Sequence, residues 1–373
     1  MTPQEFRFWP SRTLAWYMAR TFLVRSAAVL AALLIVLLTL DLLGESGDIL
    51  AYPGNGEAQL WHYAALRGPQ IIAFLLPFSV LLGTLITLVT LNQNSEVIAM
   101  KAGGVSAHQI LAPLVLASLG IAALSFTFNE RVVTRSTATL NAWQDVDYGK
   151  VPVSRGTPTN IWVRDGDDIV HADQVIGKGS GVHLTGVTVY DRDGGELHHI
   201  FTAPSARAKI GPDGAIAGWT APDVTMFDVV SGTESKMPQY MFGAHITPDQ
   251  FTLADVNADE HSLSELGAAV NDLKSAGRPT GPLETGWWHK ISGPLSSVLM
   301  PLLAGVAAFG LARSGALFLR AVIGMALGFT YFVADNFAVA MGNLGAYPPF
   351  LAAWAPFLLF LLIGETVLIR TEE

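Results

Sequence analysis

Asn94-Ser95-Glu96-Val97-Ile98-Ala99-Met100-Lys101-Ala102-Gly103-Gly104-Val105-Ser106 lies between two long apolar segments, which confine it to a membrane surface. Ser95, followed by Glu96 and a run through Met100, reads as a short capped helix that Gly103-Gly104 stops. Val97, Ile98 and Met100 are too few to cross a bilayer and too apolar for a free loop. A helix of this kind either docks onto something or is a tight turn joining two spans, and local composition leaves both open.

Working outward, hydrophobic residues make up 51% of the 373 and charged ones 14%, against roughly 25% charged in a soluble domain. Apolar runs at 22–43, 70–91, 109–128, 291–311, 318–341 and 350–369 are each long enough to cross a core of about 30 Å at about 1.5 Å per residue. Pro77 lies in the second, where lipid tolerates a kink. Before the first span, Arg7, Arg12 and Arg20 alternate with Phe6, Phe8, Trp9, Trp16 and Tyr17, as in an interfacial helix. No small-residue cleavage site follows that span, so it reads as retained. Residues 44–59 read as a polar loop.

Basic residues set the orientation. Arg7, Arg12, Arg20 and Arg25 precede or open span one, Lys101 lies between spans two and three, Arg313 and Arg320 between four and five, and Arg370 after six. The opposite loops offer Arg67 alone. The positive-inside rule then places both termini and the 94–106 stretch in the cytoplasm and residues 130–286 outside. Outside is the periplasm in a double-membrane bacterium. That segment holds 12 basic and 21 acidic residues, leaving ten of each elsewhere. Its acidity argues against nucleic acid as a partner. There is no cysteine, which excludes thiolate and disulfide chemistry.

Within the outer segment, short branched or aromatic runs at 160–164, 168–176, 182–190, 197–203, 206–210 and 224–229 read as strands. Asp-Gly pairs at 165–166, 193–194 and 213–214 read as hairpin turns. Such spacing predicts a sandwich, jelly roll or open barrel. Ser262-Leu263-Ser264-Glu265 has capping-box spacing and predicts a helix ending near Gly277. The expected divisions are an N-terminal membrane part (1–129), an all-β domain (130–261), a connecting helix (262–286) and a C-terminal membrane part (287–373).

Enzyme motifs are not found. Gly181 to Thr188 has Walker-type glycine spacing, but Val187 stands at the lysine position. His198-His199 would point to opposite faces of a strand and cannot share an ion, so no metal site is expected. Asp335, beside Asn336 in span five, is the deepest charge. Such a group in lipid is either a proton or gating site or a hydrogen-bonded carboxyl that locks two spans. Asp41 and Glu365 read as interfacial. Arg131, Arg135 and Lys290, where spans three and four emerge beside Trp287 and Trp288, are either interfacial anchors or a grip on an anionic lipid headgroup.

The pattern S-E-x-x-A-M-[KR]-A-x-G-[VF]-S over Ser95 to Ser106 resembles the coupling helix of the LptF/LptG family of lipopolysaccharide-export permeases, on its LptG side. Gly328-Phe329, Pro348-Pro349-Phe350-Leu351-Ala352-Ala353-Trp354 and Arg313-Ser314-Gly315 extend the resemblance; the middle of the chain agrees in length and strand-rich character. The resemblance implies an α-helical membrane protein with six transmembrane helices and an inserted periplasmic, jelly-roll-like β domain, in a bacterial inner membrane. It implies a permease subunit that extracts lipopolysaccharide from the outer leaflet of that membrane and passes it through its β domain. Implied partners are an LptF-like permease, a dimer of LptB-like ATPase, an LptC-like membrane protein and an LptA-like periplasmic bridge. ATP and magnesium would sit on the ATPase, with no cofactor in this chain. Glu96, Ala99, Met100, Gly103 and Gly104 match the ATPase-coupling positions. Relatives often carry lysines near the outer end of span one, where this chain has Leu38, Asp41, Gly44 and Glu45. Alternatives are the LptF role in the same complex, a proton-coupled transporter using Asp335, and a membrane-anchored periplasmic scaffold.

Overall fold

Among the described residues of the computed structural model, six helices are long and apolar enough to cross a membrane. The structure describes residues 11–151, 159–177, 181–210, 216–244, 246, 251, 257–275, 279–310 and 317–372. Two compact units result, one from Met1–Val151 with Asn257–Glu373 and one from Pro152–Val256. The expected fold class holds: a six-span helical protein with an all-β insertion.

In the helical unit, α1 (Arg12–Ala51) and α2 (Glu57–Gln93) are followed by the short α3 (Glu96–Ala102) and α4 (Ala107–Phe128). A π-helical turn (Asn129–Val133) joins α4 to α5 (Thr134–Gln144). After the β insertion come α6 (Leu263–Ser275), α7 (Gly281–Gly305), α8 (Leu317–Asn343) and α9 (Pro349–Glu372). Hydropathy located these helices but not their ends. Residues 12–20 of the interfacial segment, whose residues 1–10 lie outside the described residues, and the first part of the expected 44–59 loop are both helical. Ser11 caps α1 by accepting from Leu14 N–H at 3.1 Å, and no proline intervenes before Pro53-Gly54. At 40 residues α1 runs about 60 Å, far beyond the hydrocarbon core.

The β boundary also moves. Residues 130–144 were expected in the β domain but continue the third span, because Leu140 and Trp143 bury themselves with Ile49, Tyr63 and Tyr148. Close packing of the bundle uses small residues. A Cβ on Gly83 would lie 2.7 Å from Ser26 Cα, and one on Gly328 would lie 2.2 Å from Leu81 Cδ2.

The β unit is one antiparallel sheet in sequence order, β1 (Thr159–Asp165), β2 (Asp168–Ile176), β3 (His183–Asp193), β4 (Glu196–Ile210), β5 (Ile216–Asp228) and β6 (Thr233–Phe242). The six described strands form a meander, simpler than the jelly-roll connectivity that the resemblance implied. Gly166 (φ 64°) and Gly194 (φ 59°) turn the two-residue hairpins expected at Asp165-Gly166 and Asp193-Gly194. The Asp213-Gly214 turn lies outside the described residues. Runs 197–203 and 206–210 are a single strand, β4. β6 escaped the sequence reading because it is an edge strand, polar and carrying Lys236 and Pro238, as edges exposed to water are. One face is buried, with Ile161, Ala172, Val187 and Ala203 in one cross-strand row and Val163, Val170, Val189 and Phe201 in the next.

The capping box of α6 forms as expected. Ser262 N–H donates to Glu265 Oε2 at 2.8 Å and Glu265 N–H to Ser262 Oγ at 3.4 Å, and the first of these bonds chiefly holds the Glu265 carboxyl below its usual range.

Candidate functional site

α3 is pinned on one side and open on the other. Ser95 takes a left-handed conformation (φ 60°), so its side chain does not cap the helix as expected; it is the elbow between α2 and α3. Val97 is buried in the bundle core, and Met100 and Val105 pack against that core. Lys101 Nζ stands 5.0 Å over the Phe309 ring. Among the described residues Glu96 accepts long bonds, from Tyr17 Oη at 3.5 Å and Asn94 Nδ2 at 3.4 Å. Ile98 is 62% exposed, beside exposed Ala99 and Ala102. Gly104 (φ 82°) permits the turn into α4, whose own cap is Ser106. The five expected coupling residues therefore share one short helix and its turn, with Met100 facing inward. Ile98, read from the sequence as too apolar for a free loop, was not among the expected coupling residues, because its exposure depends on which face of α3 the core takes.

A second feature lies among α2, α4, α5, α7 and α8, a cavity of about 400 Å³. Its walls repeat at helical spacing, with Ser125, Asn129, Val133 and Thr137 along the α4–α5 side. The π-helical turn at Asn129–Val133 widens the helix at this level. Asp335 accepts from or pairs with His289 Nε2 at 3.1 Å across α7 and α8, so the carboxyl does join two spans. Lys290 also lines the cavity, where its Nζ lies 3.9 Å from Glu130 Oε1. Glu130 Oε2 meanwhile accepts from Leu263 N–H at 2.7 Å. Arg131 and Arg135 are exposed. Of the three cations expected to act together, one is thus inside and already paired, while two face outward.

His289 was missed because span four was expected to begin at residue 291. His289 is eight residues into α7 and Asp335 eight from the end of α8, so on adjacent antiparallel helices both lie about 12 Å from the same ends.

A third cluster ties α1 to α2. Asp41 accepts from Tyr63 Oη at 2.7 Å and from Arg67 Nε and Nη2, both at 3.1 Å. Asp41 and Arg67 were expected at a span end and in a loop; both are within helices. Tyr148 Oη donates to Glu45, and burial followed by this bond pushes the hydroxyl up to about 12. Asp41 therefore ties α1 to α2, and Glu45 ties α1 to Tyr148. At the opposite end of the unit, Glu365 on α9 lies 3.3 Å from His108 on α4.

In the β unit, His199 Nδ1 lies 2.7 Å from Asp191 Oδ2. Among the described residues no group of three or more His, Cys, Asp or Glu side chains is placed to hold a metal ion. The Walker-like stretch runs into β3, with Gly186 (φ 59°) over Asp173, and opens no helix. Arg313, Ser314 and Gly315 lie outside the described residues, as does the Arg320 side chain.

The sequence matches the family described as "Lipopolysaccharide export system permease LptF/LptG" over residues 16–370. It is 28% identical over 313 residues to the lipopolysaccharide export system permease protein LptG of Escherichia coli K12, covering 83% of this chain and 84% of that protein. It is 24% identical over 329 residues to the protein of the same description from Haemophilus influenzae, covering 86% and 89%.

Proposed function

This chain belongs to the LptF/LptG family of lipopolysaccharide export system permeases, and on that premise we propose that it is the LptG-type half of an ATP-driven lipid extractor. The observation that carries this reading is α3, anchored inward by Val97 while Glu96, Ile98 and Ala99 remain available to another subunit. An ATPase dimer docks on that face. Its closure pushes α3, and because α3 is seated on the core and joined through Ser95 and Gly104 to α2 and α4, both spans move with it. A second, LptF-like permease completes the transport cavity. Lipopolysaccharide leaves the outer leaflet of the inner membrane there and passes to the β unit, then through LptC-like and LptA-like partners towards the outer membrane. ATP is hydrolysed on the ATPase; this chain supplies force transmission and a lipid path. Both termini and α3 are cytoplasmic, and the β unit is periplasmic.

Affinity purification of the full chain from native membranes should recover an ATPase and a second six-span permease in fixed ratio. A chain recovered alone, with lipid export unaffected by its deletion, would leave the scaffold reading. Orientation has its own test. Reporter fusions at Lys101 and Gly194 should give a cytoplasmic and a periplasmic signal respectively, and matching signals would overturn the assigned topology.

A further inference from the structure

Two carboxyls, one histidine and one lysine are among the described residues that line the cavity beside His289 and Asp335. Asp335 and Asp259 both line it, whereas the one lysine in its wall, Lys290, is already opposed by Glu130 at 3.9 Å. His289, 3.1 Å from Asp335, balances that carboxylate only when protonated. A carboxylate held within a span is costly in lipid unless something compensates it.

Phe74, Phe78 and Phe332 meet on one side of the wall, while Gln70, Asn129 and Thr137 are among its polar residues. Phe332 lies 5.4 Å from Phe74 and 4.9 Å from Phe78, centroid to centroid. Phe74 is 52% exposed and Asn336 is exposed, so the cavity opens past them. Ring faces attract cations and shelter alkyl chains. A volume of about 400 Å³ is in the range of small-ligand pockets. A phosphate or carboxylate head would meet two aspartates and a lysine whose charge is already taken. A neutral head would add no charge to the hydrogen bond that Asp335 already has from His289.

We infer that this cavity is a binding site, within the subunit, for an amphiphile bearing an ammonium group. Asp335 is the counter-ion, and Phe74, Phe78 and Phe332 contact the apolar chain as it leaves. This goes beyond the export reading and is independent of which lipid is exported.

The test uses full-length protein in a non-ionic detergent, with thermal unfolding followed against added dodecylamine, dodecanol or dodecanoate. A ligand that binds only the folded state raises the midpoint in a saturable way. The amine should do so and the other two should not. Asp335→Asn should shift the half-saturating amine concentration about tenfold or more, as loss of a charge-assisted contact does. If Asp335→Asn does not fold, His289→Gln keeps the carboxylate and must retain amine binding; loss of binding in that variant overturns the inference. Equal stabilisation by dodecanol, or an unchanged response in Asp335→Asn, overturns it too. Competition separates the natural sources. Displacement of dodecylamine by phosphatidylethanolamine identifies a phospholipid, displacement by an aminated glycolipid identifies that class, and failure of both counts against the site.

Discussion

Glu96→Arg should abolish ATP-driven lipid release while leaving the helical unit folded. Inside its own chain Glu96 does little, since its two contacts, at 3.5 and 3.4 Å, are long and exposed. As a carboxylate in the first turn of α3 it also meets a favourable helix dipole. Together these are worth under about 1 kcal/mol, so the thermal midpoint of the isolated chain should barely move. Docked against a basic group of the ATPase, the same carboxylate becomes one member of a partly buried, hydrogen-bonded charge pair. Losing one member of such a pair costs about 2–5 kcal/mol, or at least about thirtyfold in affinity. Glu96→Ala should lose that much, and Glu96→Arg should add like-charge repulsion and prevent assembly. Tyr17→Phe, which removes only the internal contact, should export normally. Co-purification of the ATPase and release of lipid to a periplasmic acceptor measure the two quantities. If Glu96→Arg assembles and exports like the unmodified protein, α3 is only a turn.

How far the chain could be read from its residues depended on whether a feature is local. Six apolar runs exist independently of their neighbours, so the six spanning helices were legible. Their ends were not, because the helical state of residues 44–51 and 130–144 comes from caps and from the packing of Ile49, Leu140 and Trp143, which lie far apart in sequence. Glycine-marked hairpins at Gly166 and Gly194 were legible because the turn itself demands positive φ. β6 was hidden because an edge strand is selected to look unlike a strand. At the candidate site the same division holds. The Glu96 helix is a contiguous motif and was found, whereas His289, Tyr331 and Ser297 face one cavity from separate helices, and no spacing rule links them. Asp335 alone stood out, since a charge within a span needs a partner wherever that partner lies.

Trp219→Ala should unfold the β unit selectively and stop export without preventing membrane insertion. Trp219 is fully buried on β5, opposite Phe242 of β6. Its Nε1–H donates to Ile246 O at 2.9 Å, and Phe251 stands against it edge-on, with ring centroids 5.0 Å apart. The chain returns over the indole at Gly243 (φ 68°), where an added Cβ would approach Trp219 Cδ1 to 2.9 Å. The indole therefore packs against Ile246 and Phe251 as well as the end of the buried sheet face. Truncating a core tryptophan costs about 3–5 kcal/mol, against about 5–15 kcal/mol of stability for a whole domain. Trp219→Phe keeps most of the apolar volume but leaves the Ile246 carbonyl without its donor, a cost of about 1–3 kcal/mol. A graded series follows. Limited proteolysis of the full chain in membranes should cut Trp219→Ala within residues 152–256 far faster than the unmodified protein, with Trp219→Phe between them, while fragments carrying α1–α5 and α7–α9 stay protected. Because the helical unit has its own core around Leu81, Leu111, Leu114 and Leu303, it should insert and bind the ATPase normally. Export that persists in Trp219→Ala despite rapid cleavage would mean that lipid does not travel through the β unit.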